Sequence, residues 1–126
     1  MRLLLDTAVL IFAVEAPDRL SRRAAAALKN LDSVRELSSI SLAEIAVKSS
    51  LGKLSISVPI ARQALDHLDV RVLPFTSDHA FRLFELPAHH RDPFDRQIIA
   101  QALSEDIAVV TPDRQFSIYK GLKLIW

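Results

Sequence analysis

Acidic residues recur in this chain where segments that resemble strands end and where helical segments begin. Asp6 directly follows the apolar run Leu3-Leu4-Leu5, and Glu44 lies early in a helical segment. Asp95 follows an Asp-Pro pair, and Asp113 follows a Thr-Pro turn. Converging carboxylates repel one another, so their pKa values rise unless a cation neutralises them. Oxygen ligands without cysteine favour Mg²⁺ or Mn²⁺, and such an ion suits phosphodiester hydrolysis.

Several residues beside these acids could assist the same chemistry. Asp92 is a second-tier candidate for the metal, because it lies three positions before Asp95. Arginines flank the acids in sequence, and their guanidinium groups could hold substrate phosphates beside the metal. These arginines are Arg91, Arg96 and Arg114. We therefore expect an acidic cleft with basic residues at its border.

Each acid also has a structural interpretation that the sequence leaves open. Ser41 and Glu44 have the spacing of a helix capping box. Asp92 before Pro93 is typical of a helix N-cap, and Asp113 could cap a turn. Asp6 is different, because a carboxylate that ends a buried strand has no capping role unless a helix begins at the next residue.

The histidines show no paired metal-ligand spacing, so we expect solvated or capping roles for them. They are His67, His79, His89 and His90.

Composition excludes several other classes of protein. The chain has 126 residues, no cysteine and two glycines, which argues against a disulfide scaffold, a thiolate metal site and a glycine-rich phosphate loop. Its net charge is +1, so nucleic-acid binding must be argued locally. The apolar run at residues 8–14 is too short to cross a bilayer, and the N-terminus has no signal-peptide core. We expect a cytoplasmic protein.

Short apolar runs alternate with segments of helical period, which predicts a single α/β domain over residues 1–126. The predicted strands are 2–5, 36–40, 70–73, 107–110 and 122–125. The predicted helices are 9–14, 20–31, 41–51, 59–68, 77–86 and 92–104. Continuous apolar strands indicate a mostly parallel central sheet of about five strands, covered by helices on both faces. The carboxyl ends of such strands share one edge, where sites form in open α/β sheets.

The sequence resembles the PIN-domain family, and within it the VapC-type ribonuclease toxins of bacterial toxin–antitoxin modules. The resemblance extends over residues 2–126. Residues 3–7 (LLLDT) resemble the first acidic motif and residues 40–48 (ISLAEIAVK) the second. Residues 90–102 (HRDPFDRQIIAQA) resemble the third and most specific motif, and residues 109–113 (VVTPD) the last.

The resemblance implies a Mg²⁺- or Mn²⁺-dependent endoribonuclease that forms a homodimer. Its catalytic and metal-binding residues would be Asp6, Glu44, Asp95 and Asp113, with Thr7 and Thr111 in support. Phe116 and Ser117 stand where a further acid often follows in this family. The sequence therefore leaves open whether the site binds one metal ion or two.

The resemblance also implies a partner, a small DNA-binding antitoxin. We expect its C-terminal segment to place an arginine or lysine near Asp6 and Asp95. The same segment would cover an apolar groove lined by residues 9–14 and 41–51.

Three alternatives fit the sequence less well. A haloacid-dehalogenase-like phosphatase requires an aspartate two residues after the first one, where Ala8 stands. A phospho-receiver-like module requires an aspartate that ends a middle strand, where Leu73-Pro74 stands. A catalytically silent PIN-fold module that only binds a partner is disfavoured because all four acid positions are filled.

Overall fold

Five short strands form one sheet in which every neighbouring pair is parallel. In the computed structural model, which describes residues 1–126, the strands are β1 (Arg2–Leu5), β2 (Val34–Ser38), β3 (Val70–Leu73), β4 (Ala108–Val110) and β5 (Leu124–Ile125). Their spatial order is β3-β2-β1-β4-β5. Strand order therefore reverses between β1 and β4, and open α/β sheets bind ligands beyond the strand ends at such a point. The predicted α/β fold is confirmed.

Helices connect these strands and cover both faces of the sheet. They are α1 (Thr7–Glu15), α2 (Arg22–Lys29), α3 (Ser39–Ser50), α4 (Val58–His67), α5 (Ser77–Leu83) and α6 (Pro93–Glu105). Short 3₁₀ turns lie at Pro17–Arg19 and Arg114–Ile118. None of the helices combines the length and the apolarity that crossing a membrane would need.

Alternation along β1 divides the interior into two cores, because successive side chains of a strand point to opposite faces. Leu3 and Leu5 pack in one core with residues of α1 to α4. Leu4 packs in the other, against Ile98 of α6 and against Phe116. All three leucines are fully buried, so β1 holds the two layers of helices together.

Strand β2 begins and ends two residues earlier than the apolar pattern predicts. The Ser38 side chain accepts a hydrogen bond from the Ile40 backbone at 3.0 Å, so α3 begins at Ser39 and takes Ile40 out of the strand. Two charged residues lie buried within β2. Arg35 donates to the Leu68 carbonyl oxygen at 2.9 Å, and Glu36 accepts from the Arg2 guanidinium. Their partners lie far away in sequence, so the apolar pattern did not reveal that the strand begins at Val34.

The remaining differences concern the ends of elements. The predicted helix 20–31 is shorter, because Ser21 caps α2 by accepting from the Ala24 backbone at 3.0 Å. Helix α1 begins at Thr7 and not at residue 9, directly after Asp6. Helix α5 ends at Leu83. Strand β5 has two residues, and the 3₁₀ turn at Arg114–Ile118 was not predicted.

The central position of β1 predicts a large loss of stability on truncation of Leu4. We expect Leu4→Ala to lower the free energy of unfolding by about 2–5 kcal/mol, because the surrounding side chains cannot refill the space. Urea denaturation measures this change. Leu31→Ala is the matched control, since Leu31 is 92% exposed, and it should change stability by less than about 0.5 kcal/mol. Equal losses in the two variants would contradict this description of the core.

Candidate metal centre

Acidic side chains from four chain segments line one open cavity of about 320 Å³ at the carboxyl ends of β1 and β4. Its lining includes all four predicted acids and Asp92, together with Thr7 and Lys48. The full set is Asp6, Thr7, Ala8, Ile11, Glu44, Lys48, Asp92, Asp95, Pro112 and Asp113. The structure thus brings the sequence-predicted acids together at the reversal of strand order.

The parallel register of β1 and β4 positions Asp6. Leu5 pairs with Val110, so the next residues of the two strands, Asp6 and Thr111, leave the sheet side by side. Thr111 Oγ1 donates to Asp6 Oδ2 at 2.7 Å, and both residues are buried. Asp6 occupies the N-cap position of α1, yet its side chain makes no capping hydrogen bond. Its carboxylate therefore faces the cavity while Thr111 fixes its orientation.

Hydroxyl and ammonium groups fix the position of the Glu44 side chain, which projects from α3. Thr7 Oγ1 donates to Glu44 Oε1 at 2.7 Å, and the Thr7 and Ser41 hydroxyls are hydrogen-bonded at 2.8 Å. Lys48 Nζ donates to Glu44 Oε2 at 2.6 Å. The capping-box interpretation is wrong, because α3 begins at Ser39 and Ser41 lies inside it. Glu44 is buried beside the cavity, not used to cap a helix.

The start of α6 contributes two acids with different environments. Asp92 is exposed and caps the helix, accepting from the Phe94 backbone at 2.9 Å, as predicted. Asp95 lies one turn into the helix, is partly buried and also lines the cavity. Asp92 therefore has a structural role at the border of the cavity, and Asp95 makes no capping hydrogen bond.

Asp113 both caps the 3₁₀ turn and contacts the cavity. One carboxylate oxygen accepts from the Gln115 backbone at 2.9 Å. The Asp113 backbone N–H donates to Thr111 Oγ1 at 3.0 Å, and that hydroxyl in turn donates to Asp6. One threonine hydroxyl therefore links two of the acidic residues.

None of the three predicted phosphate-binding arginines lines the cavity. Arg96 is committed elsewhere, because its guanidinium donates to the carbonyl oxygens of Pro87 at 3.0 Å and Leu86 at 3.4 Å. Arg91 and Arg114 are exposed. The cation in the cavity is Lys48, which the sequence analysis missed. Its spacing of four residues from Glu44 on one helix was the available signal.

His90 was also missed, because the expected solvated or capping role is wrong for it. Its side chain is 5% exposed, and Nε2 has no hydrogen-bond partner. Nε2 lies 3.5 Å from Asp113 Oδ2. His79 does have a capping role, because its Nδ1 accepts from the Thr76 backbone at 2.9 Å. No spacing rule distinguishes these two buried histidines.

Burial and mutual repulsion raise the pKa values of two cavity carboxyls. Burial is the main cause for Asp6, and repulsion from Glu44 adds to it, although the hydrogen bond from Thr111 opposes both. For Asp95, burial and the charges of Asp92 and Asp6 raise the pKa to about 7. The pKa of Lys48 is raised, chiefly by its hydrogen bond to Glu44. The cavity thus contains more negative charge than the chain itself neutralises.

These properties fit a divalent cation. The donor set consists of carboxylate oxygens, which Mg²⁺ and Mn²⁺ prefer. A bound cation would relieve the repulsion that raises the carboxyl pKa values. Asp95, Asp113 and His90 offer ligand atoms that all lie within 4.8 Å of one another. The residues present are therefore compatible with a metal centre.

An apolar cleft of about 500 Å³ lies on another side of α3. Nine of its eleven lining residues are hydrophobic, and they come mainly from α3 and α4. They include Leu42, Ala43, Ala46, Ile56, Ala61 and Leu65. Residues 9–14 do not line this cleft, whose second wall is α4, although Ile11 of that stretch lines the acidic cavity. Glu44 and Lys48 of the acidic cavity lie on the same helix as this cleft.

Comparison with known proteins identifies one family. The model of the PIN domain family matches residues 3–122. No curated protein sequence matches the chain.

Solved structures with a similar fold are toxin–antitoxin complexes. A chain of VapBC2 from Rickettsia felis, bound to a DNA fragment from its promoter, has a TM-score of 0.75 and 21% identity, covering 98% of this chain and 97% of that one. A chain of DNA-bound VapBC from Salmonella typhimurium has a TM-score of 0.67 and 20% identity, covering 98% and 96%. A chain of FitAcB from Neisseria gonorrhoeae has a TM-score of 0.61 and 23% identity, covering 97% and 95%. At these identities, the similarity shows the fold.

The raised pKa of Asp95 predicts a pH-dependent stability in EDTA. The folded chain binds a proton at Asp95 more tightly than the unfolded chain does, since the pKa rises from 3.8 to about 7. The stability of the folded state should therefore decrease as the pH rises from about 4 through 7. We expect the thermal unfolding midpoint to fall less steeply over this range in Asp95→Asn, as measured by circular dichroism.

Asp66→Asn is the control for this measurement, because Asp66 is exposed on α4 and lies outside the cavity. Its pH profile should match that of the wild type. A wild-type profile that coincides with the Asp95→Asn profile would contradict the predicted proton uptake.

Proposed function

Because the chain belongs to the PIN domain family, whose members are generally nucleases, we propose that it is a Mg²⁺- or Mn²⁺-dependent endoribonuclease. Its catalytic and metal-binding carboxylates would be Asp6, Glu44, Asp95 and Asp113. The observation that carries the proposal is their convergence on one partly buried cavity from four separate segments. Capping or solvation does not explain a convergence of this kind at the reversal of strand order.

A bound divalent cation would supply Lewis acidity, which lowers the pKa of water and stabilises the charge of a phosphodiester transition state. The chain's own residues prepare this chemistry. Thr111 and Thr7 each donate to a carboxylate oxygen and thereby fix the directions of Asp6 and Glu44. The partly exposed Lys48 supplies positive charge beside Glu44 in the cavity. Fixed ligand orientation is what preserves the geometry of such a site.

The proposed substrate is single-stranded RNA, bound through its phosphates. Because the cavity is acidic, a phosphate can approach only after the carboxylates are neutralised. Arg91 and Arg114 are exposed next to cavity residues in sequence, and we assign them the contacts to neighbouring phosphates. Arg96 is left out of this proposal because its guanidinium already donates to two backbone carbonyl oxygens.

The proposed partner is a small DNA-binding antitoxin. The similar structures include VapBC complexes bound to DNA and a complex described as FitAB bound to an IR36 DNA fragment. The acidic cavity suits an arginine or lysine of the partner, because a guanidinium can bind two carboxylate oxygens at once. The apolar cleft between α3 and α4 suits apolar side chains of the same partner. The expected homodimer stays a prediction.

Loss of the Asp6 charge should abolish RNA cleavage without unfolding the chain. Asp6→Asn removes a charge but little volume, and the new amide oxygen can still accept from Thr111. We expect cleavage of single-stranded RNA with Mg²⁺ or Mn²⁺ to fall by roughly 100-fold or more, the scale on which one transition-state-stabilising group acts. Gel analysis of a labelled RNA measures the rate.

Two controls accompany this assay. Asp66→Asn should cleave like the wild type, and EDTA should stop cleavage by both. Cleavage that persists undiminished in EDTA would contradict metal dependence. A lower thermal unfolding midpoint of Asp6→Asn would indicate a structural role for Asp6.

A long charged side chain in the apolar cleft should block the antitoxin. Ala46 is exposed at the cleft, so Ala46→Arg should fold normally while the arginine fills the space that an apolar side chain of the partner would take. We expect affinity for the antitoxin, sought as a small DNA-binding protein encoded next to this chain, to fall by roughly tenfold or more. Isothermal titration calorimetry measures this affinity.

The control for the cleft is Ala26→Arg, which introduces the same side chain at an exposed position of α2. Unchanged binding by Ala46→Arg would exclude the cleft as the docking surface. If the small protein binds neither the wild type nor the variants and does not suppress cleavage, the toxin–antitoxin proposal fails, while the nuclease proposal is unaffected.

A further inference from the structure

His90 is the one buried side chain at the acidic cavity whose polar atom lacks a partner. Its side chain is 5% exposed, and Nε2 makes no hydrogen bond. Leaving a buried polar nitrogen unpaired destabilises a folded chain. Nε2 lies 3.5 Å from Oδ2 of Asp113, a residue that lines the cavity. The burial of Nε2, its missing hydrogen bond and its distance from Asp113 together indicate that this nitrogen can bind a ligand.

Aromatic contacts hold the His90 ring in one orientation. Phe116 contacts the ring edge-to-face, with centroids 5.2 Å apart, and the Tyr119 ring stacks on it at 5.4 Å. The Tyr119 hydroxyl lies 3.0 Å from His90 Nδ1 and also accepts from the His90 backbone N–H at 3.1 Å. When Nδ1–H donates to this hydroxyl, Nε2 carries a free lone pair. Metal-binding histidines are oriented by an acceptor on their other nitrogen in this way.

The distances are compatible with one ion shared by His90, Asp95 and Asp113. Their ligand atoms all lie within 4.8 Å of one another. At a bond length of about 2.1 Å, neighbouring ligands of an octahedral ion lie about 3 Å apart and opposite ligands about 4.2 Å apart. Small side-chain movements would therefore bring the three atoms to one ion.

We propose that His90 Nε2 is a metal ligand that acts together with Asp95 and Asp113. This inference rests on the proposed metal centre and gives that centre a preference between Mn²⁺ and Mg²⁺. Imidazole nitrogen binds Mn²⁺ and later transition metals in preference to Mg²⁺, whereas a site of oxygen atoms alone suits both ions. Of the two ions proposed for this centre, the nitrogen ligand therefore favours Mn²⁺ over Mg²⁺.

The decisive measurement is pulsed electron paramagnetic resonance of Mn²⁺ bound to the full chain. A histidine ligand gives a nitrogen modulation, and labelling the protein with ¹⁵N-histidine must change it from the ¹⁴N to the ¹⁵N pattern. This readout uses the wild type, so it does not depend on whether a variant folds. The labelled modulation would support the proposal, and Mn²⁺ binding without it would overturn the proposal while leaving the carboxylate centre intact.

Variants then identify which histidine binds. His90→Gln should abolish the modulation and weaken Mn²⁺ affinity by roughly tenfold or more, with a much smaller effect on Mg²⁺ affinity, both measured by calorimetry. His89→Gln is the matched control, because His89 is the exposed neighbour of His90. A modulation that persists in folded His90→Gln would overturn the assignment. Failure of the wild type to bind Mn²⁺ or Mg²⁺ would overturn both this inference and the proposed metal centre.

Discussion

The hydrogen bond from Thr111 to Asp6 joins the two strands between which the order of the sheet reverses. It exists because Leu5 and Val110 are paired in register, so the residues after them leave the sheet together. A shift of one residue in this register would point the Asp6 side chain toward one of the two apolar cores and separate it from Thr111. The geometry of the cavity therefore depends on the packing of β1, whose leucines lie in both cores.

The carboxylates of the cavity lie close together although their negative charges repel one another. Burial raises the pKa of both Asp6 and Asp95, and the neighbouring charges add to the effect. Lys48 neutralises part of the charge from one side, and hydroxyl groups satisfy some of the oxygens. The two apolar cores, which lie outside the cavity, hold these repelling groups in place. Folding thus forces together carboxylates that repel one another, and the proposed cation would relieve this repulsion.

The sequence predicts most of the architecture because apolar runs and helix-capping residues are local signals. Strands β1 and β3 have the predicted bounds, and Asp92 caps α6 as its Asp-Pro pair indicated. The four acids could be predicted to share an edge because parallel strands align their carboxyl ends. Local patterns fail where distant residues decide the structure. The burial of Arg35 and Glu36 depends on residues far away in the chain, and so does the environment of His90. The guanidinium of Arg96 is bound by backbone carbonyl oxygens, which no pattern of side chains reveals.

Helix α3 contributes residues to two surfaces of different chemistry, one acidic and one apolar. Glu44 and Lys48 belong to the acidic cavity, whereas Ala43 and Ala46 belong to the apolar cleft, and both alanines are exposed. A change of side chain at 43 or 46 alters the shape of the cleft and leaves the hydrogen bonds of Glu44 untouched. Substitutions on one side of such a helix can therefore change the shape of the cleft independently of the carboxylates on its other side.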